Sequence, residues 1–188
     1  FLMYLLKIPW SIFTISLPWS ILFLSILPKI SWKMKLKSPN LRDLSLAEKF
    51  LITIIILEIF YTGAEALIRP VAAWDGWAVW LFKSKIFFLE KGINLEPFVL
   101  GEIGGIDYPL LIPLSGTWIY LILGKIDDWL VLSLFWMFYL ATVMIFYSGV
   151  RNFLKRKWTL VFTFLLASIP ILIRHGGREM AGYADLPL

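Results

Sequence analysis

The sequence predicts an all-α fold: a polytopic transmembrane helix bundle with a juxtamembrane interfacial helix and a re-entrant or interfacial Pro-containing segment. Three observations carry that expectation. Apolar residues make up 60% of the 188-residue chain, against roughly 45–50% in soluble domains. Charged residues are scarce, at 16%, and cluster between long runs that hold almost none, whereas a soluble fold spreads them along every element. The basic residues gather in short loops beside apolar runs. That positive-inside pattern explains the net charge of +5 better than nucleic-acid binding does.

Residues 1–28 are apolar with Pro9, Pro18 and Pro28, and are long enough to cross a bilayer, with a kink expected at Pro18. Residues 29–49 carry Lys29, Lys33, Lys35, Lys37, Arg42 and Lys49 against Asp43 and Glu48, a cytoplasmic loop by charge. Ser45-Leu46-Ala47-Glu48 reads as a capping box that starts a spanning helix over 46–67. In that helix Glu58, Thr62 and Glu65 share one face. An inward-packed polar stripe is the bland reading, and a proton or substrate pathway the functional one.

Residues 68–108 form a long loop holding Arg69, Lys83, Lys85 and Lys91 against Asp75, Glu90, Glu96, Glu102 and Asp107, which places it outside. Within it, 75–90 predicts a short interfacial helix with Trp74, Trp77 and Trp80 as headgroup anchors. An ideal helix would set Asp75, Lys83 and Glu90 on one side. Residues 109–124 are short and interrupted by Pro113 and Gly116; 129–149 is a full span; Arg151, Lys155, Arg156 and Lys157 follow as a cytoplasmic cluster. A last apolar segment, 158–173, leads to Arg174, His175, Arg178, Glu179, Tyr183 and Asp185.

Topology then decides a question of function. If 109–124 crosses, Asp75 and Asp185 fall on opposite faces; if it does not, both face outside and the 151–157 cluster faces in. The second path agrees with the charges and is the expected one. The chain begins at Phe1 and ends just after an acidic motif, so it reads as a piece of a longer protein. Residues 1–45 read as an extra span with its basic loop, and 46–188 as the N-terminal part of a catalytic module. Its second external loop would start near 174–188.

No cysteine is present, and His175 is the only histidine. Thiolate chemistry, disulfides, iron–sulfur clusters and two-histidine metal motifs are excluded. What remains is a pair of acidic motifs, Trp74-Asp75-Gly76-Trp77 and Gly182-Tyr183-Ala184-Asp185, each just past an apolar segment. Carboxylates near lipid are costly, and they mark working sites.

Three stretches resemble the GT-C superfamily of membrane glycosyltransferases, protein-mannosyltransferase-like enzymes that take sugar from a polyprenyl-phosphate carrier. They are RPVAAWDGWAVWLFKSKIFFLEKG, IDYPLLIPLSGTWIYLILG and FLLASIPILIRHGGREMAGYADLPL, and the likeness covers roughly 46–188. The resemblance implies an inverting transfer on the extracytoplasmic face of the cell membrane. Asp75 matches the first-loop aspartate, a catalytic base or, in metal-dependent branches, a metal ligand. Asp185 matches the second-loop acid, and the resemblance brings Asp107 with Tyr108 towards the site, although by its own position Asp107 shapes the turn before Pro109. A divalent metal (Mg or Mn) would fall to Asp75 and Asp185, although Tyr-Ala-Asp replaces a paired Asp-x-Asp. The implied partners are the lipid-linked sugar donor, a protein, lipid or glycan acceptor, and membrane lipids, with no nucleic acid.

Such a transfer needs a carboxylate to take the acceptor's proton and cations to steady the departing phosphate. Asp75 suits the first role; its structural alternative is a helix N-cap. Lys83, Lys85, Arg69, Arg174 and Arg178 are the available cations. At least one of Lys83, Lys85, Arg174 and Arg178 is expected at the donor phosphate, the alternative for each being ordinary lipid headgroup contact. His175 and Glu179, spaced i,i+4, would hold a metal or substrate on a helix. An interfacial polar pair is the expected outcome, because Gly176-Gly177 argues against that helix. A transporter or flippase of a lipid-linked or anionic substrate is the rival function, drawing on Glu58, Glu65 and the interrupted segment.

Overall fold

The computed structural model describes residues 3, 6–26, 43–99, 105 and 107–184, and these are all-helical, without strands. The elements are α1 (Ile12–Ile26), α2 (Leu46–Ile68), a π-helical turn (Gly76–Trp80), α3 (Leu81–Leu89) and α4 (Glu96–Val99). They continue with α5 (Leu111–Leu123), α6 (Asp128–Arg151), α7 (Arg156–Ala167) and α8 (Pro170–Gly177). Two helices, α2 and α6, are long and apolar enough to cross a membrane. The α7–α8 pair, bent by 63°, makes a third candidate if it is one broken span.

α2 starts where the capping box sets it. The Glu48 amide donates to Ser45 Oγ at 3.3 Å, and the Ser45 amide donates back to the Glu48 carboxylate at 2.8 Å. α6 starts on Asp127, whose carboxylate accepts from the Leu130 amide at 3.2 Å. That amide and Lys125 hold the Asp127 carboxyl below its ordinary value.

α2, α6 and α7–α8 pack side by side, and their contacts fix the register. Arg156 meets Glu48, Ser168 meets Glu58 and Arg178 faces Glu65, so α7–α8 runs parallel to α2. Trp136 Nε1 donates to Ile59 O and Tyr139 Oη to Ala167 O, both at 2.9 Å, with α6 running the other way. Ile55, Tyr139, Val143, Leu160 and Ala167 form the core between them. Close approach relies on glycine. A Cβ on Gly177 would sit 2.0 Å from Thr62 O, and one on Gly176 would sit 2.8 Å from Tyr139 Cβ.

Several expectations are corrected here. The last apolar segment, 158–173, is not continuous: it breaks at Ser168-Ile169, because Pro170 disfavours helical backbone before it and then starts α8. Gly176 and Gly177 are the last two residues of α8, which stops there before Glu179, and their missing side chains let α8 press onto α2 and α6. The segment 109–124 is not interrupted either. Pro113 is the third residue of α5, where its missing N–H would have had no helical partner. Gly116 admits Ser84, whose Oγ would lie 2.5 Å from a Cβ there. At 13 residues α5 is about 20 Å long, short of a roughly 30 Å hydrocarbon core. α1, at 15 residues, is likewise shorter than the span expected over 1–28, with residues 27–42 outside the described set.

Candidate functional site

The first acidic motif enters the structure on an irregular turn. Ala73 is buried, Trp74 and Asp75 are helical, and the Leu81 amide then reaches five residues back to Gly76 O. Such π turns insert one extra residue into a helix and often sit at functional sites. The extra residue breaks the regular spacing that would have aligned Asp75, Lys83 and Glu90: Lys83 is fully buried, Glu90 is exposed and Asp75 is half-buried. Asp75 makes no capping hydrogen bond, so its carboxylate is not taken up in starting the helix. Trp74 and Trp77 are exposed and meet edge to face, as interfacial anchors would. Trp80 is no anchor: it is buried among Ile112, Leu132, Phe135, Ala181 and Ala184.

That last cluster joins the two motifs, since Ala184 belongs to the second. The backbones touch as well. A Cβ on Gly76 would meet Gly182 Cα at 3.3 Å, and one on Gly182 would meet Gly76 Cα at 2.9 Å. Gly182 also has φ +112°, a conformation open to glycine and strained for other residues. Asp75 therefore lies one residue from the segment that leads to Asp185. Asp185 itself is outside the described residues.

Asp107 and Tyr108 are both exposed, in the turn ahead of α5. The Tyr108 ring lies 5.3 Å from that of Trp80, which ties this turn to the π turn. Lys83 closes the same corner from inside. Its ammonium donates to Gly105 O and lies 5.8 Å from the rings of both Phe98 and Tyr108. Burial pushes the Lys83 ammonium down, with Asp107 partly opposing. Lys83 is thus enclosed, with no open path to a headgroup. Lys85 is also committed: it pairs with Asp128 at 2.6 Å, and Tyr120 Oη donates to the same carboxylate at 2.6 Å.

The remaining cations converge at the ends of α2 and α8. Arg69 pairs with Glu65 one turn back, and Arg174 Nε meets Glu179 Oε1 at 2.6 Å. Arg178 Nε lies between the two carboxylates, 3.5 Å from Glu179 and 3.9 Å from Glu65. The Glu179 carboxyl is held below its ordinary value by its own backbone amide and by Arg174. Glu179 falls beyond the end of α8, so His175 and Glu179 do not form an i,i+4 pair on a helix. His175 is buried, edge to face with Tyr183 at 5.9 Å.

Among the described residues no group of three or more His, Asp or Glu could hold a metal ion.

The composition of the basic cluster was legible in sequence. The register that sets Arg178 against Glu65 was not, because it depends on how closely Gly176 and Gly177 let α8 approach. No protein-family model, curated protein or solved structure matches this chain.

Proposed function

We propose that this chain belongs to a multi-pass membrane glycosyltransferase. In this reading it moves a sugar from a polyprenyl-phosphate donor to an acceptor on the extracytoplasmic face, with inversion. One observation carries the reading: the Gly76–Gly182 contact, which packs the Asp75 motif against the segment leading to Asp185. Two carboxylates drawn from loops more than 100 residues apart in sequence then serve one site. α2, α6 and α7–α8 cross the membrane in this reading, α5 does not, and the motifs share the outer face.

Asp75 is the base. It accepts the proton of the acceptor hydroxyl as that oxygen attacks the anomeric carbon and the lipid phosphate departs with the bonding electrons. The absence of a capping bond on Asp75 supports this role. A divalent metal, if bound, would supply Lewis-acid stabilisation of the phosphate through Asp75 and Asp185. The test is sugar transfer in membranes carrying the protein: Asp75→Asn lowers the rate about 100-fold or more, and an unchanged rate rejects Asp75 as base.

A second reading, a transporter or flippase, draws on Glu58. Its carboxylate accepts from Ser168 Oγ at 2.6 Å inside the α7–α8 break, and Oε2 is buried without a hydrogen-bond partner among the described residues. Transporters use acids at broken helices. Substrate flux that survives Asp75→Asn and stops in Glu58→Gln would favour it.

A further inference from the structure

We infer that Arg69, Arg174 and Arg178 form a binding site for a phosphate group carried on a lipid, with Glu65 and Glu179 as internal anions that the phosphate displaces. The inference deepens the glycosyl-transfer reading, and rests on it for the view that the phosphate arrives on a lipid.

The cluster is over-supplied with cations. Among the described residues three guanidinium groups share two carboxylates, and both carboxylates are divided between partners. Arg178 is the least satisfied member. Its Nε is sheltered from solvent, lies beyond good hydrogen-bond distance of either acid, and has no hydrogen-bond partner among the described residues. A sheltered donor without an acceptor is costly, and an incoming oxyanion removes that cost. Phosphate suits this arrangement because its oxygens are spaced to take two donors from one guanidinium fork.

Location points the same way. Arg69 follows the end of α2 and Arg178 follows the end of α8, the level at which candidate spans finish. Arg178 lies four residues before Gly182 in sequence, and Gly182 touches Gly76 beside Asp75. Two further cations of this region, Lys83 and Lys85, are already engaged, one inside the fold and the other on Asp128. The side chains of Arg69, Arg174 and Arg178 remain between 38% and 45% exposed.

The test titrates dodecyl phosphate into the purified chain in dodecyl maltoside micelles and follows the probe by phosphorus NMR line broadening. Glu179→Gln removes an internal competitor and should bind the probe severalfold more tightly than the wild type. The double variant Arg174→Gln/Arg178→Gln should bind about tenfold more weakly or worse, and Lys157→Gln, at the far end of the bundle, should match the wild type. Inorganic phosphate should compete only at far higher concentration. Equal competition would overturn the lipid assignment in favour of a free phosphate. Wild-type affinity in the double variant, or no gain in Glu179→Gln, would overturn the site itself.

The two readings fail separately. Lost probe binding with Asp75-dependent transfer intact sinks this inference alone. Probe binding without any transfer sinks the enzymatic reading alone.

Discussion

The two ends of the helix layer each carry ion pairs between α2 and the α7–α8 segment, and they are built differently. At one end Glu48 is saturated. Its carboxylate accepts from the Ser45 amide and hydroxyl at 2.8 and 2.9 Å and from Arg156 Nε at 2.8 Å, with its side chain only 8% exposed. Arg156 also donates to Asp43 O at 2.8 Å. At the other end Glu65 and Glu179 divide themselves among three arginines, at contacts that stretch to 3.9 Å. A buried carboxylate held by this many short hydrogen bonds serves to hold structure. A cluster with spare donors can exchange an internal anion for an external one. The comparison therefore assigns the Glu48 end to stability and the Glu65–Glu179 end to binding.

The largest expected effect attacks what brings the binding end together. Gly177→Ala would drive a Cβ into the Thr62 carbonyl, and backbone there cannot step aside. A loss of about 3 kcal/mol or more is expected, read as a collapse of thermal stability in detergent. A stable Gly177→Ala protein would mean that α8 does not press on α2 as described. Gly182→Ala comes next: left-handed backbone and the approach of Gly76 together cost about 1–3 kcal/mol. Transfer activity should fall further than stability does, because the two acidic motifs separate.

Substitutions in the ion pairs sharpen the contrast directly. Glu48→Gln should lower the unfolding temperature clearly, since it weakens the capping box and strips Arg156 of its charged partner. Glu179→Gln should barely change it. The reverse order would erase the distinction between the two ends. The smallest effect is in pH. The folded Glu179 carboxyl lies below its ordinary 4.5, so its contribution to stability is complete above pH 4.5 and fades as pH falls through the lowered value. Subtracting the pH profile of Glu179→Gln from that of the wild type should leave a small step in that acid window. No step, or one above pH 4.5, would contradict the hold that its own backbone amide and Arg174 have on this carboxyl.

The helical layer was largely legible in the sequence. Unbroken apolar runs define α2 and α6, and Ser45 with Glu48 marks a helix start by local chemistry alone. What escaped was decided by tertiary contact. Pro113 and Gly116 look like breakers in isolation, yet one falls where no N–H is needed and the other where Ser84 needs the space. Trp80 shares its type with Trp74 and Trp77, and only the π turn sends it inward. In the candidate site, the acidic motifs and their order could be read directly. Their contact could not, because it passes through Gly76 and Gly182, and glycine announces space without saying what fills it.

The central claim is that the two acidic motifs share one side of the membrane. Since the chain has no cysteine of its own, single cysteines at 75, 107, 157 and 185 can be labelled with an impermeant thiol reagent in intact cells. The account predicts labelling from outside at 75, 107 and 185, and at 157 only after the membrane is opened. Labelling of 75 and 185 from opposite faces would contradict it, separating the carboxylates and removing the shared site.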